Sequence, residues 1–189
     1  MKFLKSHWSN ILFLTIILLL IIPQTRKPIK VGLNRLISFS PSEVSEENRN
    51  KLFDYNWQLK KIDGAPVNFK EAKGEVVILN LWATWCPPCI AEMPSFQSLY
   101  EDYGDRVNFY FVSSEEADKL QKFKEKKSYT FPVFQPTSSA PELLNSNSLP
   151  TTYVLSRKGE IVVEKTGAAD WNSPSFRKML DELLGEELP

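Results

Sequence analysis

The stretch NLWATWCPPCIAEMP, Asn80 to Pro94, contains both cysteines of the chain, Cys86 and Cys89. Pro87 and Pro88 separate them, and Trp82 and Trp85 precede them. Upstream, EVVILNLW (75–82) is an almost unbroken apolar run, the pattern of a strand buried on both faces. Downstream, the segment from Pro87 to Tyr103 reads as a helix, since proline is tolerated in a helix's first turn. Cys86 therefore opens a helix directly after a buried strand and a short loop. There the unpaired helical N–H groups and the helix dipole favour a thiolate.

Three uses of such a pair compete. As a staple, a disulfide across so short a loop adds only about 2 kcal/mol, and the two prolines already stiffen it. A structural zinc site needs four ligands, and the chain has no second cysteine pair and one histidine, His7, in its leader. Copper handling would also want a histidine beside the thiols. A redox centre accounts for more of the residues: Cys89 lies one turn deeper than Cys86 and can attack a mixed disulfide formed there. Cys86 is thus the expected nucleophile and Cys89 the resolving thiol, and no metal or cofactor is implied.

The rest of the chain bounds the setting. Its 189 residues suit one domain of ordinary size, and 23 basic against 23 acidic residues give no electrostatic footprint for nucleic acid. The leader MKFLKSHWSNILFLTIILLLIIPQTRK (1–27) is apolar from Ile11 to Ile22 except at Thr15. Extended back to Phe3 it reaches the roughly 20 residues that span a bilayer. Neither the small residues of a cleavage site nor a lipid-accepting cysteine follows it, so it is expected to stay as a membrane anchor. Residues 28–52 read as a juxtamembrane linker, in which Ile29, Leu33, Leu36 and Ile37 recur at the spacing of a short interfacial helix. Residues 53–189 read as the folded domain.

Within that domain, YNWQLKKIDGAPVNF (55–69) is a hairpin pattern around Asp63–Gly64. RVNFYFVSS (106–114) is a second buried strand and EEADKLQKFKEKK (115–127) a charged amphipathic helix, with Glu115 and Glu116 as the acidic first turn. TTYVLSRKGEIVVEKTG (151–167) gives two strands around a Lys158–Gly159 turn, and SPSFRKMLDELLGEE (173–187) a final helix capped by Ser173 or Ser175.

On WATWCPPC the chain resembles the thioredoxin superfamily, and most closely its membrane-anchored TlpA/ResA-type branch, over residues 53–185. Pro94 matches the kink in that family's active-site helix. LPTTYVL (149–155) matches the segment bearing the family's cis-proline, which makes Leu149–Pro150 the expected cis bond, and KTGA (165–168) matches its glycine after the last strand. The long interval before Pro150, around YTFPVFQPTSSAPELLNSNS, resembles the branch's inserted strand and helix. The resemblance implies an α/β fold: a thioredoxin-like central mixed sheet flanked by helices, with an N-terminal β-hairpin and an N-terminal membrane anchor. It places Trp85, Leu149 and Pro150 at the substrate-binding rim. Asn80 stands where thioredoxin itself has a buried aspartate, whereas Glu92 matches the branch's glutamate three residues after the second cysteine. There it is expected to take the proton from Cys89.

The activity implied is thiol–disulfide exchange on protein substrates outside the cytoplasm, in a periplasmic orientation. Basic residues on both sides of the leader leave that orientation to the resemblance. Two prolines between the cysteines offer a thiolate no charge and no N–H, which favours a reductant over an oxidant. The implied partners are protein disulfides, apocytochrome c among them, and a transmembrane thiol electron donor. A thiol peroxidase is the alternative within the superfamily, but it wants a threonine where Ala83 stands. An anchored binding module with an inert disulfide is the non-enzymatic alternative.

Overall fold

The computed structural model describes residues 40–186, together with Trp8 and Phe13. The leader and residues 28–39 of the linker lie otherwise outside the described residues. Among the described residues no helix is long and apolar enough to cross a membrane.

Seven strands form one mixed sheet: β1 (Gln58–Lys61), β2 (Pro66–Asn68), β3 (Val77–Leu81), β4 (Asn108–Val112), β5 (Val133–Pro136), β6 (Thr151–Leu155) and β7 (Ile161–Thr166). Their spatial order is β2-β1-β5-β4-β3-β6-β7. Strand β3, interior to the sheet, runs parallel to β4 and antiparallel to β6, while β1 and β2 form the expected hairpin. Gly64 supplies the positive φ of +94° that its turn requires. Three helices flank the sheet: α1 (Pro87–Tyr103), α2 (Ala117–Lys127) and α3 (Pro174–Gly185). Helix α3 is capped by Ser173, whose hydroxyl accepts from the Phe176 N–H at 3.4 Å.

The alternation of a strand sorts β3 onto two cores. Ile78 points into a cluster with Phe96, Phe111, Trp171 and Phe176, against α1 and α3. Val77 and Leu79 point to the other face, with Trp57, Phe69 and Tyr153. Asn80 shares the parity of Ile78 and so faces α1. Its register partner on β6 is Thr152, which has the parity of Val154.

Two expectations are modified. The inserted helix is absent: after β5 the chain makes only a three-residue 3-10 turn, Glu142–Leu144. Pro136 and Pro141 flank a serine-rich stretch, and Asn145 leaves the turn in extended geometry, so no run is long enough to propagate a helix. In addition, residues 44–52 lie along the outer edge of β7. The Val44 N–H donates to the Val162 carbonyl, Ile161 to Asn50 and Leu52 to Gly159, each at 2.8 Å.

Candidate active site

The first turn of α1 is shaped by what its prolines lack. Pro87 and Pro88 have no N–H, so the first two donors of a helix are missing rather than unsatisfied. The Cys89 N–H donates to Cys86 Sγ at 3.3 Å, and the Ile90 N–H donates to the Cys86 carbonyl at 3.1 Å. Cys86 is therefore the residue that caps its own helix. The two cysteines are joined as a disulfide.

The pair is asymmetric. Both sulfurs belong to buried residues, Cys89 completely and Cys86 at 3 % exposed, but Cys86 lines a surface cleft with Trp85, Pro87, Pro88 and Leu149. Trp85 is 58 % exposed beside it, while Trp82 is buried against Phe123 at 5.3 Å between ring centroids. Leu149–Pro150 is cis, as expected, and the Pro150 carbonyl accepts from Gly167 N–H at 2.9 Å. A second cleft of about 440 Å³ extends from Trp85 and Leu149 toward Trp57, Ala140 and Leu144. Trp85 and Leu149 thus border both clefts, the first of which reaches Cys86.

One turn beyond Cys89, Glu92 is buried beneath the site, 1 % exposed. Asn80 Nδ2 donates to its Oε1 at 2.9 Å and also to Thr152 Oγ1 at 2.8 Å. Trp171 Nε1 donates to Glu92 Oε2 at 2.8 Å and the Ala169 N–H reaches the same oxygen at 3.4 Å. Burial pushes the Glu92 carboxyl up to about 8, against the opposing pull of the Trp171, Asn80 and Ala169 donors. Asn80 Oδ1 is left without a hydrogen-bond partner.

The match to the branch's glutamate made Glu92 visible in the sequence, but its partners were not. Trp171 and Ala169 arrive from the loop after β7, more than 70 residues away, and no periodicity marks them. Thr152 is deducible only once the antiparallel register of β3 and β6 is known.

Glu115 departs from expectation. It does not sit in the first turn of α2, which begins at Ala117 with Glu116 as its capping residue. Its carboxylate instead reaches back to Thr84, accepting from the Thr84 N–H at 2.5 Å and from Thr84 Oγ1 at 2.9 Å, and it pairs with Lys119.

A disulfide-bonded cysteine pair opening a helix, with Leu149 of the cis Leu149–Pro150 bond in the same cleft, on this sheet order, is the arrangement of a thioredoxin-like thiol–disulfide oxidoreductase. The model of the AhpC/TSA family matches residues 54–164, and the chain belongs to that family. It is 35 % identical over 134 residues to the thioredoxin-like protein YneN of Bacillus subtilis, covering 69 % of this chain and 78 % of that protein. It is 33 % identical over 115 residues to the thiol-disulfide oxidoreductase ResA of Halalkalibacterium halodurans, covering 59 % and 65 % respectively. The crystal structure of StoA from Bacillus subtilis superposes with a TM-score of 0.50 at 30 % identity, over 67 % of this chain and 94 % of that one. The protein is a thiol–disulfide oxidoreductase of this ResA and StoA type.

Proposed function

We propose that the protein is a membrane-anchored, extracytoplasmic reductant of protein disulfides. In its reduced form the Cys86 thiolate attacks a substrate disulfide, forming a mixed disulfide and releasing one substrate thiolate. Cys89, giving its proton to Glu92 in the latter's ionised form, then attacks Cys86 Sγ and releases the second substrate thiolate, which takes up a proton from solvent. The substrate disulfide has become two thiols and the Cys86–Cys89 dithiol a disulfide, a two-electron transfer. A membrane thiol carrier then reduces the pair again. Trp85, Leu149 and Pro150 hold the substrate at the rim.

The observation that carries this reading is the asymmetry of the pair: Cys86 lines the cleft, while Cys89 is fully buried with the Glu92 carboxyl one turn below it. A carboxyl near 8 is matched to an ordinary thiol near about 8.5, as efficient proton transfer requires. The apolar leader supports anchoring, and the named activities of the ResA and sporulation relatives support exchange on disulfides. Apocytochrome c is the first substrate to examine.

Trapping tests the reading. Cys89→Ser should accumulate mixed disulfides through Cys86 in membrane-fraction extracts, and their partners can be identified by mass spectrometry. Cys86→Ser should trap nothing. Equal trapping by the two variants would reverse or remove the assignment.

A further inference from the structure

The loop that delivers Cys86, residues 82–86, is suspended from the carboxyl end of β4. The Trp82 N–H donates to the Val112 carbonyl at 3.1 Å, continuing the β3–β4 pairing by one residue. Beyond that point the strand pairing stops. The next attachment is Glu115, whose two carboxylate oxygens accept from the backbone N–H and hydroxyl of Thr84. Thr84 lies two residues before Cys86 and next to the exposed Trp85.

Glu115 is itself held from several sides. Its carbonyl accepts from Gln135 Nε2 on β5 at 2.7 Å, its N–H donates to Ser113 Oγ at 3.4 Å, and its carboxylate pairs with Lys119 of α2. The side chain is only 12 % exposed. Burial alone would raise its carboxyl, but Lys119 and the two Thr84 donors outweigh that and hold it below the usual range, so it is an anion at neutral pH. A carboxylate accepts at both oxygens and donates at neither, which is what two convergent donors on Thr84 demand. Charge-assisted bonds of this kind are roughly twice as strong as neutral ones.

We propose that Glu115 is a positioning residue for disulfide exchange. It clamps Thr84 and thereby fixes Trp85 and Cys86 at the rim in the orientation that attacks a substrate. This extends the assigned role of Cys86, on which it rests, to a residue outside the Trp82–Glu92 motif.

The experiment measures reduction of a disulfide-bonded peptide by the full-length chain in detergent, with kcat and KM determined separately. Glu115→Gln presents an amide N–H to donors, and Thr84→Val removes the hydroxyl. Each is expected to slow kcat/KM at least about fivefold, well within what a small misplacement of a reacting group costs. Thr84→Ser, which keeps both donors, should restore the wild-type rate. The double variant Thr84→Val/Glu115→Gln should be no slower than the slower single one, since both remove the same contact.

Assays run well below the measured unfolding midpoint of every variant, so that loss of fold does not mimic loss of rate. Iodoacetamide labelling of Cys86 in a Cys89→Ala background reports the nucleophile independently. A Cys86 that labels and exchanges normally in Glu115→Gln overturns the clamp and leaves the thiol assignment standing. A double variant slowed by the product of the two single effects, or a Thr84→Ser as slow as Thr84→Val, overturns it too.

Discussion

A carboxyl group facing donors from Trp171, Asn80 and Ala169 would ordinarily ionise with ease. Glu92 does not, because burial outweighs the three, and its pKa rises to about 8 from an ordinary 4.5. The consequence for stability has a definite sign. Between about 4.5 and about 8 the folded chain holds a proton on Glu92 that the unfolded chain has released. Stability from this group is complete below that window, falls as pH rises through it, and levels off above it. The slope cannot exceed about 1.4 kcal/mol per pH unit. Glu92→Gln in the oxidised protein, where no thiol titrates, should therefore gain on the wild type from pH 5 to pH 8. Denaturant unfolding across that range checks it, and parallel curves for the two proteins would deny the buried acid. Glu92 was legible through the resemblance to the TlpA/ResA branch, since its spacing from Cys89 alone fits a surface glutamate equally well. The orphan Asn80 Oδ1 and the Trp171 donor were not, since they depend on packing between distant segments.

Elements repeat this division between pattern and pairing. The buried run of β3, the two prolines opening α1 and the Asp63–Gly64 hairpin all carry local signals, and each formed where its sequence indicated. Residues 44–52 carry none: VSEENRNKL is polar between Val44 and Leu52, and polar composition reads as linker. What holds the segment is main-chain hydrogen bonding to β7, an interaction open to any side chain and so invisible in composition. Leu52 ends it as a buried residue in the cluster with Tyr55 and Trp57, whereas the adjacent Phe53 is 80 % exposed. Leu52→Ala should cost about 2–4 kcal/mol, the usual range for emptying a buried leucine site. Phe53→Ala, although it removes a larger side chain, should stay within about 0.5 kcal/mol. Denaturant midpoints at constant slope measure both, and similar losses at the two positions would mean the segment is not docked as described.

For the whole molecule, the direction of electron flow depends on how well the reduced site holds a thiolate. Thioredoxin lies near about −270 mV and the oxidant DsbA near about −120 mV, a difference of roughly 7 kcal/mol for two electrons. The present site offers Cys86 the helix N-terminus and one backbone donor, the Cys89 N–H. Pro87 and Pro88 offer no N–H, and the only histidine of the chain is His7, far from the pair in sequence. Beneath Cys89 the environment is apolar apart from the Glu92 network, and an ionised Glu92 would oppose a second negative charge there. The two prolines, the lack of a nearby histidine and the Glu92 carboxyl limit thiolate stabilisation, which is the basis for expecting a reductant. The potential is expected below about −200 mV, with a Cys86 pKa nearer about 7 than about 4. Equilibration against glutathione buffers gives the first and pH-dependent alkylation the second. A wild-type potential close to that of DsbA would make the protein an oxidant, and the helix terminus with its single N–H would have to account for a stabilisation that its donors do not provide.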